Sequence, residues 1–221
     1  MTVTVYPALA TLTDDEVARW RAIPVAVAVD LDPLAQIDPA IRPLCPPGRQ
    51  TRLFGRAVTA LVGPPDFGAV VHALDVIRPG EVLVIAAAGH RETAMIGDVL
   101  GGHLRGIGAA GIVCDGAVRD VGTLAGWDDF PVFSRWITPR GPTSADRGAV
   151  NRAVVVGGRL VSAGDLVIGD DDGLVCLSPA SVRGLIDAAE AKLSREAEWT
   201  ASLARGVSAA ATFGLKDPAR G

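Results

Sequence analysis

Residues Val82 to Asp120 read VLVIAAAGHRETAMIGDVLGGHLRGIGAAGIVCDGAVRD and contain the pattern that is most informative about the fold. The opening apolar run, 82–87, predicts a strand that is covered on both faces. Gly97-Asp98 then begins a short helix through Arg105, which the following glycines end. A second apolar run, 111–115, predicts another buried strand. Strand, helix and strand in this order indicate a parallel crossover.

Charged residues follow both of these strands. Asp98 comes after the first, and Arg119-Asp120 comes after the second, with twenty residues between Asp98 and Arg119. Gly116 is expected to turn the chain towards the Arg-Asp pair. Because open α/β sheets bind ligands at the carboxyl ends of their strands, we expect these side chains to share one site.

Outside this stretch, the pattern predicts a central sheet with crossover helices, then a strand-rich second half and a long C-terminal helix. Residues 13–22 form the first predicted helix, with a capping box from Thr13 to Glu16. Further predicted strands and helices are a strand over 54–62, a helix over 67–77, short strands at 131–133, 153–156, 159–161, 166–169 and 174–177, and a helix from Pro179 to about Leu203. Gly157-Gly158 and the Asp-rich segment 169–173 are interpreted as turns between strands, and not as a phosphate cradle or a calcium loop.

Composition limits the possible functions. A chain of 221 residues, 49% hydrophobic, can bury a substantial core, and we expect one α/β domain over 1–221. The net charge of -4 disfavours a nucleic-acid surface. The sequence predicts no membrane span and no secretory signal. The three cysteines are widely spaced, which indicates buried thiols in a reducing cytoplasm.

Lysine content bears on any carbon–carbon bond cleavage beside a ketone, because such cleavage needs an electron sink. The sink is either a lysine Schiff base or a divalent metal. The chain has two lysines, Lys192 in the long C-terminal helix and Lys216 in the tail, and both are expected to lie away from the proposed site. A cleavage reaction here would therefore use a metal.

Three stretches of the chain carry a family resemblance: 54–59, 97–120 and 150–179. They resemble the 4-hydroxy-4-methyl-2-oxoglutarate aldolase family, class II pyruvate aldolases that share the swivelling fold of the regulator of ribonuclease activity A. The resemblance covers roughly residues 50–206 and is most specific in the acid-x20-Arg-Asp spacing, which is intact here. It is weakest over 24–48.

The resemblance implies a role for each residue of this motif. Asp120 would be the one direct protein ligand to Mg²⁺ or Mn²⁺, with water and pyruvate oxygens completing the coordination. Arg119 would bind the pyruvyl group and offset the enolate charge. Asp98 would hold the waters around the metal or orient Arg119; the alternative for Asp98 is a simple helix N-cap. Backbone amides at the helix start would bind the substrate carboxylate, namely those of Gly97, Asp98, Val99, Leu100 and Gly101.

Two further residues match family positions. Glu196 would reach into a neighbouring subunit's site, with Glu198 as the alternative carboxylate and a solvated helix face as the ordinary explanation. His72 would lie near the metal waters, where it could order a water or carry a proton. The competing interpretation of His72 is a histidine packed on the inner face of its helix.

The sequence also predicts an assembly and two alternative functions. The C-terminal helix, 179–204, is apolar along one side and is expected at a subunit interface, in a homotrimer that can pair into a hexamer, followed by a tail over 207–221. The resemblance implies cleavage of a 4-hydroxy-2-keto acid to pyruvate, with decarboxylation of oxaloacetate as a second activity. The alternative is a non-catalytic regulator that binds a ribonuclease or another protein.

Overall fold

The computed structural model describes residues 2–8, 12–49 and 51–216. The strands in this part of the chain are β1 (Thr4–Val5), β2 (Arg42–Pro43), β3 (Leu53–Leu61), β4 (Glu81–Ile96), β5 (Gly111–Val118), β6 (Val132–Ile137), β7 (Ala149–Val150), β8 (Val154–Val156), β9 (Arg159–Val161), β10 (Leu166–Asp170) and β11 (Gly173–Leu177). The α-helices are α1 (Asp14–Arg19), α2 (Val25–Leu31), α3 (Gly68–Ala73), α4 (Asp98–Gly106), α5 (Val121–Leu124), α6 (Pro179–Ala204) and α7 (Ala209–Thr212).

A mixed sheet organises the molecule, with strands in the order β1-β7-β3-β4-β5-β6-β2. Its centre, β3 to β6, is parallel. The other edge of β3 is shared, because β10 pairs antiparallel with its first half and β7 with its last two residues. The predicted α/β class, with crossover helices and a strand-rich second half, is confirmed.

The crossover β4–α4–β5 matches the prediction, but both strands are longer than expected. β4 continues through an irregular segment to Ile96, with shifts in its register to β5 near His90 and Ala94. The expected turn at Gly116 is wrong, since β5 runs through Gly116 to Val118. A Cβ on Gly116 would lie 2.7 Å from the Cβ of Ala87, so glycine here allows close strand approach within the sheet.

Apolar packing covers both faces of the sheet. On one face, α3, α4 and α5 enclose a core that includes Leu83, Ile85 and Leu104. On the other, the β8–β9 hairpin covers Val84 and Phe133. α1, α2 and α6 pack over β10 and β11 in a third cluster. The core therefore supports the carboxyl ends of β4 and β5 from both sides.

Several local predictions are confirmed. The Thr13–Glu16 capping box begins α1. Gly157 and Gly158 have φ values of 52° and 76°, as a tight hairpin turn requires, and the Asp-rich segment joins β10 to β11. Cys45, Cys114 and Cys176 are buried and free. The helix over 67–77 is shorter than predicted, because α3 ends at Ala73.

The long C-terminal helix is also present as predicted, with 26 residues in α6. Its buried residues are Val182, Ile186 and Ala189, so no residue of its second half is fully buried by the described part of its own chain. Trp199 on that half stacks edge-on against Phe213 of the C-terminal arm, with the ring centroids 5.0 Å apart. Part of the predicted tail, 217–221, lies outside the described residues. Among the residues described, no helix combines the length and apolar character needed to cross a bilayer.

Candidate active site

The start of α4 presents free backbone donors at the carboxyl end of β4. Gly97 is the N-cap and has no side chain to bind the first N–H groups of the helix. The first intrahelical bond runs from the N–H of Gly101 to the carbonyl of Gly97, at 2.9 Å. The N–H groups of Val99 and Leu100 are therefore available to an anion.

Asp120 lies against this helix start. It follows β5 with φ 56° and ψ 35°, a left-handed conformation that non-glycine residues adopt at an energetic cost. Its Oδ2 accepts a hydrogen bond from the N–H of Asp98 at 3.2 Å. The same oxygen is 3.3 Å from Nε of Arg119. The structure thus brings together the three motif residues that the sequence separates by twenty positions.

Gly97 makes this approach possible. A Cβ at this position would overlap Oδ2 of Asp120 and lie 2.8 Å from Cγ of Arg119. Gly97 is buried, and its φ of -146° is one that any residue can adopt, so the requirement for glycine here is steric and not conformational. The absence of a side chain at Gly97 therefore leaves room for the carboxylate of Asp120 in its observed position.

A cleft of about 380 Å³ adjoins this cluster. Gly97, Val99, Leu100 and Arg119 form one side of it. The remaining lining residues are Phe67, Val71, Ala94, Met95, Ile96, Gly141 and Pro142. A volume of this size is typical of small-molecule sites.

The guanidinium group of Arg119 crosses the cleft from one wall to the other. Its Nε faces Asp120, while a Cβ on Gly141 would lie 2.6 Å from its Nη1. The side chains of Arg119 and Asp120 are 42% and 36% exposed, so both remain accessible to a ligand. An anion in the cleft would meet the guanidinium and the α4 amides together.

The wall of the cleft that lies away from α4, the far wall, is formed by Phe67, Gly141 and Pro142. Asp66, which is fully buried, holds this wall in place. Its carboxylate accepts hydrogen bonds from the N–H groups of Gly68, Asp146 and Arg147, at 2.9, 2.9 and 3.1 Å. Burial alone would raise the pKa of Asp66, but these bonds and one from the Ser144 hydroxyl outweigh it and hold the pKa well below its usual range.

A divalent cation at Asp120 would have few protein ligands. Across residues 2–8, 12–49 and 51–216, no three His, Cys, Asp or Glu side chains could together hold a metal ion. Oδ1 of Asp120 has no hydrogen-bond partner in the same residues, while Oδ2 is engaged by Asp98 and Arg119. One free carboxylate oxygen in partial contact with solvent fits Mg²⁺ or Mn²⁺, which retain water ligands, and does not fit structural zinc.

The remaining predicted residues lie outside the cleft lining. Asp98 is the first residue of α4 and not its N-cap, so the N-cap alternative is wrong. His72 is exposed on α3, and the inner-face alternative for it is also wrong. On α6, Glu196 pairs with Lys192 at 3.0 Å, while Glu198 is exposed. The predicted reach of Glu196 into a neighbouring subunit remains a prediction.

The sequence interpretation missed the far wall of the cleft. Phe67, Gly141 and Pro142 come from segments that are distant from the motif in sequence, and long-range backbone bonds tie these segments to each other and to β4. The N–H of Phe67 donates to the carbonyl of Ser144 at 3.0 Å, and the N–H of Ala94 donates to the carbonyl of Arg140 at 2.8 Å. Asp66, directly after a Pro-Pro pair, was the one local signal of an ordered turn at this wall.

Comparison with known proteins identifies relatives of this chain. The model of the RraA-like family, described as Aldolase/RraA, matches residues 10–176. A Halalkalibacterium halodurans protein, provisionally named a 4-hydroxy-4-methyl-2-oxoglutarate aldolase, is 32% identical over 179 residues, covering 80% of this chain and 83% of that protein.

Two solved structures share the fold. An uncharacterised protein from Pseudomonas syringae pv. tomato superposes with a TM-score of 0.80 at 23% identity, over 94% of this chain and 99% of that one. Streptomyces coelicolor RraAS2, described as an unusual member of the RNase ES inhibitor RraA family, superposes with a TM-score of 0.72 at 28% identity. That match covers 83% of this chain and 96% of RraAS2.

Proposed function

Because this chain belongs to the RraA-like (Aldolase/RraA) family, we propose that it is a divalent-metal-dependent aldolase. Its substrate would be a 4-hydroxy-2-keto acid similar to 4-hydroxy-4-methyl-2-oxoglutarate, cleaved to pyruvate and a carbonyl product. Oxaloacetate decarboxylation would be a side activity, because it needs the same electron sink. The observation that supports this proposal is the meeting of Asp120, the Asp98 N–H and Arg119 beside an open cleft.

Arg119 and the start of α4 would bind the keto acid end of the substrate. The guanidinium can form paired hydrogen bonds with a carboxylate or a keto oxygen, and the N–H groups of Val99 and Leu100 face the same space. Arg119 would also offset the negative charge that develops on the keto oxygen during cleavage. Two of the predicted amides are not free for the substrate, because the N–H of Asp98 donates to Asp120 and that of Gly101 donates to the carbonyl of Gly97.

Asp120 would hold the cation through Oδ1, and Asp98 would order the surrounding waters or orient Arg119. When bound, Mg²⁺ or Mn²⁺ supplies the Lewis acidity that the keto group needs. The N–H of Asp98 fixes the carboxylate by engaging its other oxygen, so Asp120 is positioned before any cation arrives.

Cleavage also needs a base. Asp98, His72 or the Glu196 of a neighbouring subunit would accept the proton of the 4-hydroxyl group, directly or through water. The C3–C4 bond then breaks, its electron pair passes towards the keto group beside Arg119, and C3 takes up a proton to give pyruvate. Glu196 lies on α6, away from the cleft of its own chain, so its participation requires an assembly.

We propose a cytoplasmic homotrimer, or a pair of trimers, with sites between subunits. Support comes from the second half of α6, which has no buried residue beyond Ala189, and from the half-exposed Trp199 on it. Three buried free cysteines suit a reducing compartment.

Pyruvate release from oxaloacetate and from 4-hydroxy-4-methyl-2-oxoglutarate tests the proposal. Rates should rise with Mg²⁺ or Mn²⁺, fall to the background with EDTA, and recover when the metal is restored. Since free metal decarboxylates oxaloacetate slowly by itself, the Asp120→Asn protein at the same metal concentration is the reference. Equal rates with EDTA and with metal would exclude this function.

A second candidate is a regulator that binds a ribonuclease. The similarity to RraAS2, whose description places it in an RNase inhibitor family, supports it. Inhibition of an RNase E-type enzyme by the same preparation, without any metal-dependent pyruvate release, would favour this alternative.

A further inference from the structure

The guanidinium group of Arg119 has few polar contacts that could fix its direction. Its Nε lies 3.3 Å from Oδ2 of Asp120. Neither Nη1 nor Nη2 has a hydrogen-bond partner among residues 2–8, 12–49 and 51–216. Because such a side chain samples several rotamers unless neighbouring surfaces restrict it, the packing around Arg119 decides where its charge lies.

Two glycines border this side chain. At the start of α4, a Cβ on Gly97 would lie 2.8 Å from Cγ of Arg119 and 3.1 Å from its Nε. On the far wall, a Cβ on Gly141 would lie 2.6 Å from Nη1 of Arg119 and 3.7 Å from its Cζ. Gly97 therefore borders the stem of the side chain, and Gly141 borders its charged end.

The backbone on both sides of Gly141 is anchored. The N–H of Ala94 donates to the carbonyl of Arg140 at 2.8 Å. The N–H of Thr143 donates to the carbonyl of Pro65 at 3.1 Å. The φ of Gly141 lies outside the left-handed region, so a larger residue can adopt it. A side chain added at 141 would therefore displace the guanidinium more readily than the backbone.

Resting on the aldolase function proposed above, we infer that Gly141 is a positioning residue for the reaction, acting through Arg119. The absence of a side chain at 141 lets Nη1 and Nη2 lie in the cleft, where they meet the charge that develops on the keto oxygen. A methyl group at 141 would have to move Nη1 from 2.6 Å to a contact distance of about 3.5 Å, a displacement of about 1 Å.

Gly141→Ala tests this inference. We expect kcat/KM for pyruvate release to fall roughly thirtyfold, since a displacement of about 1 Å in a positioned group can cost up to about a hundredfold. Gly63→Ala is the matched control: Gly63 also precedes a proline, its φ is also outside the left-handed region, and a Cβ there would meet nothing within 4 Å. Activities of the two variants that agree within about twofold would overturn the inference.

A double-mutant cycle shows whether Gly141 acts through Arg119. The lysine side chain of Arg119→Lys ends at the atom that corresponds to Cζ, for which a Cβ on Gly141 is at an ordinary contact distance. Gly141→Ala should therefore cost about threefold or less in the Arg119→Lys protein, against roughly thirtyfold in the unmodified one. A general structural defect would cost the same factor in both proteins, and that result would contradict the inference.

Binding gives a readout that needs no cleavage. Oxalate is a small dianion that resembles the enolate of pyruvate, and calorimetry at a fixed Mg²⁺ concentration can measure its affinity. We expect this affinity to fall about tenfold in Gly141→Ala and to stay unchanged in Gly63→Ala. Equal affinities in the two variants, or no oxalate binding by the unmodified protein, would overturn the inference.

Failure of the inference and failure of the function are distinguishable. A protein that binds oxalate in a Gly141-dependent way but releases no pyruvate from oxaloacetate or any 4-hydroxy-2-keto acid would lose the aldolase function and keep the Gly141–Arg119 relationship. Metal-dependent pyruvate release that Gly141→Ala leaves intact would keep the function and remove the positioning role.

Discussion

The N–H of Asp98 donates a hydrogen bond to Oδ2 of Asp120 at 3.2 Å. This bond joins the start of the crossover helix to the end of the next strand, so two positions on the edge of the sheet become one site. It also engages one carboxylate oxygen of Asp120 and leaves the other towards solvent.

Gly97→Ala should greatly reduce the proposed aldolase activity without unfolding the protein. The new methyl group would overlap the Asp120 carboxylate and displace Arg119. We expect kcat/KM for pyruvate release to fall roughly a hundredfold, since small displacements of positioned groups are costly. Gly102→Ala is the control, because a Cβ there meets only Trp127 at 3.9 Å. Similar losses in both variants would show that the helix, and not the Asp120 contact, is sensitive.

Arg119→Lys should lower kcat/KM by roughly a hundredfold, or on the order of 3 kcal/mol, because lysine lacks the planar pair of donors. Steady-state kinetics with oxaloacetate would measure the loss. Arg105→Lys is the matched control: this arginine also pairs with an aspartate, Asp129, and is similarly exposed, but it does not line the cleft. An Arg119→Lys protein with nearly full activity would remove Arg119 from substrate binding.

Asp120→Asn should weaken metal binding while the fold survives, because an amide oxygen can still accept the Asp98 N–H. Electron paramagnetic resonance with Mn²⁺ would report binding directly, and we expect the affinity to fall by at least tenfold. Asp128→Asn, an exposed neighbour, should bind Mn²⁺ as the unmodified protein does. Unchanged binding in Asp120→Asn would place the cation elsewhere.

Much of the fold followed from local patterns. The apolar runs of β3, β4 and β5 and the amphipathic α6 are long enough to be recognised, and the motif spacing predicted which strand ends meet. The two-residue strands β1 and β7 were not predicted, because they exist only through pairing with each other and with β3.

The site was only half predictable for a related reason. Asp98, Arg119 and Asp120 belong to one crossover, whose geometry is regular. Phe67 and Pro142 reach the cleft through the Asp66 hydrogen bonds and a bridge between Asp66 and Ser144. Such contacts depend on tertiary packing, and the sequence between them has no period that would reveal them.

Asp66→Asn should destabilise the protein in a pH-dependent way. The folded-state pKa of Asp66 lies below its unfolded value of about 3.9, so the ionised carboxylate stabilises the fold above that pH, and the contribution is lost as pH falls through the folded pKa. At pH 7 we expect a deficit of roughly 2–4 kcal/mol in the free energy of unfolding. Urea unfolding should show this deficit shrinking below about pH 4, while Asp75→Asn, exposed after α3, should change little at either pH. A deficit that is constant with pH would mean that shape, and not charge, holds the far wall.

Mixing two inactive proteins tests whether sites are shared between subunits. If Glu196 serves the Asp120 of a neighbour in a closed ring, an Asp120→Asn protein and a Glu196→Gln protein should complement each other when coexpressed. In a random assembly, about a quarter of the sites would combine an intact Asp120 with an intact Glu196, so about a quarter of full activity should return.

Glu198→Gln in place of Glu196→Gln tests the alternative carboxylate. Of these two variants, the one at the carboxylate that serves the neighbouring site should be inactive alone and should regain activity when coexpressed with Asp120→Asn. Because Glu196 is held by Lys192 within its own helix, Lys192→Met should leave the carboxylate free without removing it. Strong loss in Glu196→Gln without any complementation would place its role within a single chain and would contradict a site built between subunits.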